Sequence, residues 1–156
     1  MSKVFPIIFI LIILFLQIGI LPHLAILDAY PNLILISVLS LVILSGWRKN
    51  LGWIVAAGLF WDFYSLQNIL GISVLLLMVA GFVVQFLSQK FFKKTNNFSI
   101  LLLFLSGLVI YEIVFFHFPA SLIRIVYNLI FTLPIFYLMK IYVYKLQKIQ
   151  SQKKIL

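Results

Sequence analysis

The sequence predicts an all-α integral membrane protein, a bundle of six transmembrane helices with both termini in the cytoplasm. Of its 156 residues, 65% are hydrophobic and 10% are charged, and the mean hydropathy is +1.22. Soluble domains are about 45–50% apolar and about 25% charged, so a water-soluble fold would expose most of this apolar surface. At about 20 residues per spanning helix, six spans leave no room for a separate soluble domain.

Six apolar runs define the predicted helices, and short polar segments connect them. Proline supports several boundaries, since Pro6, Pro31 and Pro119 fall in first turns, where a missing N–H costs nothing. The second and third runs are short for a full span, which favours little tilt or a locally thinned bilayer. The predicted runs are Val4–Leu21, Pro31–Trp47, Leu51–Leu66, Ile69–Ser88, Asn97–Phe118 and Pro119–Tyr144.

The basic residues predict the orientation of the bundle. Eleven of the twelve lie at the N-terminus, in the second and fourth connections, or at the C-terminal end, and only Arg124 lies near the other three connections. Because cytoplasmic loops carry the excess of Lys and Arg, both termini are expected in the cytoplasm. The eleven residues are Lys3, Arg48, Lys49, Lys90, Lys93, Lys94, Lys140, Lys145, Lys148, Lys153 and Lys154.

The two ends of the chain have competing interpretations. The first run is about 18 residues long and lacks a clear Ala-x-Ala site, so a retained helix is favoured over a cleaved signal peptide. Residues 1–144 are expected to form the transmembrane domain, and residues 145–156 a basic cytoplasmic tail. That tail could continue the sixth helix, lie on the anionic leaflet or bind a partner.

Three charged residues and one asparagine form a polar cluster inside the predicted spans, and helix rise places this cluster toward the outer side. Asp62, Glu112 and Arg124 fall about 6–9 Å below the outer ends of three different helices at 1.5 Å per residue, and Asn128 lies one turn below Arg124. Arg124 is the only cation at that depth, so we expect Asp62 to pair with it, while Glu112 shares the arginine or stays protonated. Intramembrane charges are functional candidates by default; structural cross-linking, a partner or ligand site, and a proton relay all stay open.

Catalytic chemistry is not indicated by any motif. The chain has no cysteine and two histidines, and it contains no nucleophile elbow, metalloprotease helix or phosphate-binding Gly-rich loop. No cofactor and no metal site are therefore expected, and His23, Asp28 and His117 are more simply interfacial residues. The net charge of +9 lies at membrane exits, which indicates anionic lipids rather than nucleic acid.

Short motifs recur at the helix boundaries between Tyr30 and Phe92 and in the last helix. They are Pro31-Asn32 opening the second helix, basic Arg48-Lys49, Gly58 and Asp62 spaced as Gly-x-x-x-Asp, Leu70-Gly71 opening the fourth helix, Gly81, and Asn128 and Pro134 in the last helix. Together these motifs resemble those of the MreD family of small rod-shape-determining membrane proteins. One departure is the segment after Asp62, "YSLQNILG", in which only Ser65 and Gly71 keep the family's turn residues.

The resemblance implies a non-enzymatic subunit of the bacterial elongation machinery in the inner membrane. Its implied partners are an MreC-like bitopic protein, a cell-wall glycosyltransferase and transpeptidase, and an actin-like filament. Besides the polar cluster, seven residues are expected in helix packing or in contact with a partner. Two of them, Gly52 and Ala56, form a small-xxx-small step. The seven are Pro31, Asn32, Gly52, Ala56, Gly58, Gly71 and Gly81.

One rival class stays open at this point. Substrate-binding subunits of energy-coupling-factor vitamin transporters are six-helix bundles of similar size, and fold-level analogy cannot separate the two classes. Those subunits dock through small residues, typically alanines, on their first helix. Here the first run, "VFPIIFILIILFLQIGIL", has Gly19 as its only small residue, which favours the shape protein.

Overall fold

The computed structural model describes residues 12–26, 29–64, 70–91, 96–114 and 120–153. This part of the chain is helical, with one isolated β-bridge between Ile26 and Ala29 and a 3₁₀ turn, Arg48–Asn50, between the second and third helices. The first helix, α1, ends in a π-helical turn followed by a 3₁₀ turn. The six helices are α1 (Ile12–Leu24), α2 (Leu33–Ser45), α3 (Leu51–Tyr64), α4 (Ile72–Phe91), α5 (Asn97–Val114) and α6 (Ala120–Lys153).

Helix α2 is the centre of the bundle. It contacts α3, α4, α5 and α6, and eight consecutive residues from Leu33 to Ser40 are buried. A helix that is apolar on all sides belongs in the interior, and nothing in α2 offers a polar face to water. Around it, α3 packs on α4, α4 on α5, and α5 on α6.

The outward faces of the bundle are apolar. On α4, Leu75, Val79, Phe82 and Phe86 form one exposed stripe at helical spacing, while the opposite stripe, including Leu77 and Val84, is buried. Helix α6 follows the same pattern, with exposed Leu122, Val126 and Ile130 opposite a buried stripe from Ser121 to Val143. An apolar exterior of this extent suits lipid and not water.

The helices differ in length. Among the described residues, two helices, Ile72–Phe91 and Ala120–Lys145, are long and apolar enough to cross a membrane. Three shorter apolar helices accompany them: Ile12–Leu24, Leu33–Ser45 and Asn97–Ile113.

The observed bounds agree with the predicted runs to within a few residues in most cases. Two differences stand out: α4 starts at Ile72, three residues later than expected, and α6 continues past Tyr144 to Lys153. The second difference means that much of the predicted tail prolongs α6, one of its three interpretations. The beginning of the first run lies outside the described residues.

Candidate functional site

The short helices have backbone N–H and C=O groups at their ends that need hydrogen-bond partners. Helix α2 has 13 residues and is about 20 Å long at 1.5 Å per residue, against a hydrocarbon core of about 30 Å. A helix of this length laid across a bilayer would therefore have at least one end inside the hydrocarbon. Each helix end leaves up to four backbone groups without partners, and no water is available there to bind them. The buried polar side chains of this chain supply those partners.

Asn128 of α6 binds the beginning of α2. Its Oδ1 accepts a hydrogen bond of 2.6 Å from the backbone N–H of Asn32, and both residues are buried. Asn32 is itself the N-cap of α2, because its Oδ1 accepts from the N–H of Leu35 at 2.9 Å. An asparagine on the last helix thus completes the cap of the second.

Gln17 of α1 binds the same end of α2 from the other side. Its Oε1 accepts from the N–H of Leu33 at 2.7 Å, and its Nε2 donates to the carbonyl of Pro31 at 3.2 Å. Gln17 is fully buried and lies in the π-helical turn Leu16–Ile20. One side chain therefore satisfies a donor and an acceptor of the incoming backbone, and Pro31 contributes its carbonyl to this junction.

Asp62 of α3 binds the N-terminal end of α4. Its Oδ2 accepts from the N–H of Gly71 at 2.6 Å and its Oδ1 from the N–H of Ser73 at 3.1 Å. The carboxylate, 1% exposed, lies at the N-terminus of α4, where a negative charge is stabilised by the helix dipole. The expected ion pair between Asp62 and Arg124 is therefore wrong, because two backbone donors satisfy this carboxylate instead.

Two glycines make the Asp62 contact possible. At Gly58, one turn before Asp62, an added Cβ would come within 2.6 Å of the Cα of Val74, so α3 and α4 touch backbone to backbone. Gly71 has φ +95°, a conformation that residues with a side chain rarely adopt, and this conformation directs its N–H to the carboxylate. The Gly-x-x-x-Asp and Leu-Gly motifs are two halves of one junction between α3 and α4.

Arg124 pairs with Glu112, which joins α6 to α5. Its Nε and its Nη2 each lie 3.0 Å from Oε2 of the carboxylate, and Nη2 also lies 3.1 Å from Oγ of Ser121. Glu112 is buried, whereas the arginine side chain keeps 26% of its surface exposed. The sequence had left this acid as the arginine's second possible partner.

The opposite end of α2 is held by residues that the sequence analysis did not single out. Asn50 donates from Nδ2 to the carbonyls of Leu41 and Gly46, at 3.0 and 2.7 Å, and to Oγ of Ser45 at 2.8 Å. Oε1 of Gln85, on α4, accepts from the N–H of Trp47. Asn50 and Gln85 could have been found by the same criterion that singled out Asp62: each is an isolated polar residue beside apolar helices.

The remaining small residues divide into two groups. Gly81 is packed inside the bundle, since an added Cβ would lie 3.1 Å from Cδ1 of Trp47. Gly52 has no atom within 4 Å of such a Cβ, and both Gly52 and Ala56 are exposed. Gly52 therefore faces away from the other helices, whereas Ala56 lies at an apolar groove between α3 and the helices α1, α2 and α6.

The chemistry available to this arrangement is limited. The oxygens of Asp62 and the charge of Glu112 are engaged by backbone N–H groups and by Arg124. In the described part of the chain, no group of three or more His, Cys, Asp or Glu side chains could hold a metal ion; Asp28 and His117 lie outside it. Four buried side-chain atoms in the described residues have no hydrogen-bond partner: Oγ of Ser37, Nε1 of Trp47, Oγ of Ser73 and Nδ2 of Asn128.

An all-helical bundle with an apolar exterior, in which buried polar side chains bind helix ends, is an α-helical membrane protein. Its sequence matches the family model for the rod shape-determining protein MreD over residues 1–148. The chain therefore belongs to the MreD family. Neither a curated protein nor a solved structure gives a match.

Proposed function

We propose that the chain is a non-enzymatic membrane subunit of the bacterial cell-elongation complex. In this role it organises peptidoglycan synthesis through contacts with an MreC-like bitopic protein, and with the glycosyltransferase, transpeptidase and actin-like filament of that complex. The observation that carries the proposal is the match to the MreD family model over residues 1–148. The buried polar residues support the non-enzymatic part of it. They bind helix ends and one another and leave no carboxylate free for acid–base work among the described residues.

The proposed topology has six spans in the inner membrane, with both termini and the second and fourth connections in the cytoplasm. The eleven-to-one distribution of basic residues supports it, as does the length of α4 and α6. Residues 1–144 then form the transmembrane domain, and residues 145–156 a basic cytoplasmic tail. The junctions at Asn32, Asp62 and Arg124 lie in its outer half.

A reagent that does not cross membranes tests this topology on single-cysteine variants of a chain that has no cysteine of its own. Asn50 is unsuitable as a reporter, because it is buried and makes three hydrogen bonds. Lys49→Cys and Leu70→Cys are better, since both positions are exposed. In intact cells the cysteine at position 70 should react and the one at position 49 should not; the reverse pattern would invert the bundle.

The partner surface that we propose is the open stripe of α3. Gly52, Ala56, Leu59 and Phe63 follow one another at helical spacing, and all four are exposed. Small residues at the first two positions would let the backbone of a partner helix approach closely. The buried Gly58 faces α4 on another side of the helix, so the two glycines of α3 have different roles.

A complementation experiment tests the function and this surface together. Depletion of the protein in a rod-shaped host should give rounded cells, with no vitamin requirement. Gly52→Leu adds a bulky side chain where no neighbour lies within 4 Å, so the protein should accumulate normally, fail to restore rods, and lose co-purification with the bitopic partner. Val79→Leu, on the exposed stripe of α4, is the matched control and should restore rod shape.

Two results would contradict the proposal. Normal rod shape after depletion, combined with a vitamin requirement, would favour the transporter subunit. Full rescue and normal co-purification by Gly52→Leu would move the partner surface away from α3, without affecting the proposed role of the protein.

A further inference from the structure

A basic groove lies on the outward face of α6, toward the C-terminal end of that helix. Its volume is about 520 Å³, and its wall consists of Tyr137, Lys140, Ile141, Tyr144 and Lys145. These positions lie at i, i+3, i+4, i+7 and i+8, which is one face of a helix, and all five residues are exposed. The basic groove therefore combines two positive charges with two aromatic rings and one aliphatic side chain.

Contacts within the chain hold one side of the basic groove in place. The hydroxyl of Tyr137 donates to Oδ1 of Asn97 at 2.6 Å, which ties this part of α6 to the first residue of α5. Nζ of Lys140 lies 5.7 Å from the centre of the Tyr137 ring, a cation–π contact. The N-terminus of α5 carries the positive end of a helix dipole, so it adds to the positive potential of the two lysines.

The two lysines have no acidic partner among the described residues. Between those residues, the only ion pair joins Arg124 to Glu112, and Arg124 lies 16 residues before Lys140 on α6, about 24 Å away along the helix. The other described acid, Asp62, is bound by backbone N–H groups at the start of α4. The counter-charge for the basic groove therefore has to come from outside the described part of the chain.

The length of α6 places the basic groove at the depth of lipid headgroups. Lys140 lies 20 residues beyond Ala120, the first residue of α6, and this distance of about 30 Å equals the thickness of the hydrocarbon core. With Ala120 at one boundary of the hydrocarbon, Lys140 lies at the other, and Lys145 lies about 7–8 Å further out. Tyrosine favours this depth, and lysines there attract anionic lipid.

We propose that the basic groove binds one anionic phospholipid, whose phosphate lies between Lys140 and Lys145. Its acyl chains then follow the apolar face of α6 at Ile141 and Leu138, which are 57% and 56% exposed. The observation that carries the inference is a pair of lysines at headgroup depth with no described acid beside them. The inference goes beyond the proposed function and depends neither on the partners named there nor on the orientation of the bundle.

Native mass spectrometry of the full-length protein tests the site, after reconstitution in nanodiscs with equal amounts of phosphatidylglycerol and phosphatidylcholine. Wild type should retain one phosphatidylglycerol. Replacing both Lys140 and Lys145 by glutamine should lower that retention by about fivefold for each lysine. The matched control replaces Lys49 and Lys90 by glutamine, which removes the same charge from two other exposed positions, and it should retain the lipid as wild type does. Unchanged retention in the first double variant, or an equal loss in both, would overturn the proposal.

A variant that keeps both lysines tests the role of the counter-charge. Ile141→Glu places a carboxylate four residues before Lys145, which is the favourable order for an ion pair on a helix. This internal acid should displace the phosphate and lower phosphatidylglycerol retention at least fivefold, whereas the uncharged Ile141→Gln should not. Equal retention by the two variants would overturn the proposal. So would loss of an acidic cytoplasmic partner on replacement of Lys140 and Lys145 with lipid retention unchanged, since the groove would then bind a protein.

Discussion

Substitution of Asp62 by alanine tests the junction between α3 and α4 directly. The carboxylate accepts from two backbone N–H groups, those of Gly71 and Ser73, and the residue is 1% exposed. Removal of the side chain leaves both donors without a partner, at a cost of about 1–3 kcal/mol each. The expected loss of folding free energy is therefore about 2–6 kcal/mol. For a chain of this size each kcal/mol lowers the melting temperature by about 2–4 °C. The melting temperature of Asp62→Ala should therefore fall by at least about 4 °C.

Thermal unfolding in detergent, followed by tryptophan fluorescence, measures this loss. Phe63→Ala is the control, because Phe63 is the adjacent residue and is 65% exposed; it should melt close to wild type. Asp62→Asn keeps one acceptor oxygen and should fall between alanine and wild type. A melting temperature for Asp62→Ala within 1 °C of wild type would refute the capping argument, and Asp62 would then become a candidate for a functional role.

Three further predictions concern the other junctions of the bundle. Glu112→Ala and Arg124→Ala should each destabilise the protein, and the double variant should lose less than the sum, because the residues share one ion pair; losses that add would show that they are not partners. Gly58→Ala should lower the melting temperature by overpacking against the α4 backbone, at about 1–3 kcal/mol, whereas Gly52→Ala should leave it unchanged or raise it; equal effects would refute the close approach. Asn128→Ala should cost about 1–3 kcal/mol by stranding the N–H of residue 32, and an unchanged melting temperature would show that this bond contributes nothing.

The heights of Glu112 and Arg124 in the bundle could be matched from the sequence, and the two residues do meet, but the partner of Asp62 could not be predicted. Helix rise gives only the height of a residue along its helix. It does not say which way a side chain points around the helix axis. The prediction for Asp62 considered only side-chain charges and so omitted the free N–H groups at the start of the next helix. Those donors lie nine and eleven residues further along the chain.

The helix-end contacts of Gln17, Asn50 and Gln85 were missed for a related reason. A neutral amide adds nothing to a charge count, although an isolated glutamine or asparagine beside apolar helices needs hydrogen-bond partners as much as a carboxylate does. The helices themselves were easier to predict, because long apolar runs and prolines mark them without knowledge of the neighbours. Contacts between residues such as Gln17 and Leu33 depend on how those helices are arranged in space.

The bond between Asn32 and Asn128 joins residues 96 positions apart, which has a consequence for biosynthesis. Ribosomes add about 5–20 residues per second, so about 5–20 s separate the synthesis of the two asparagines. During that interval the N–H of Asn32 has to bind water, lipid headgroups or the insertion machinery. The second helix to be made is therefore among the last to reach its final surroundings, and a chain stopped before α6 would expose an unfinished helix end to quality-control proteases.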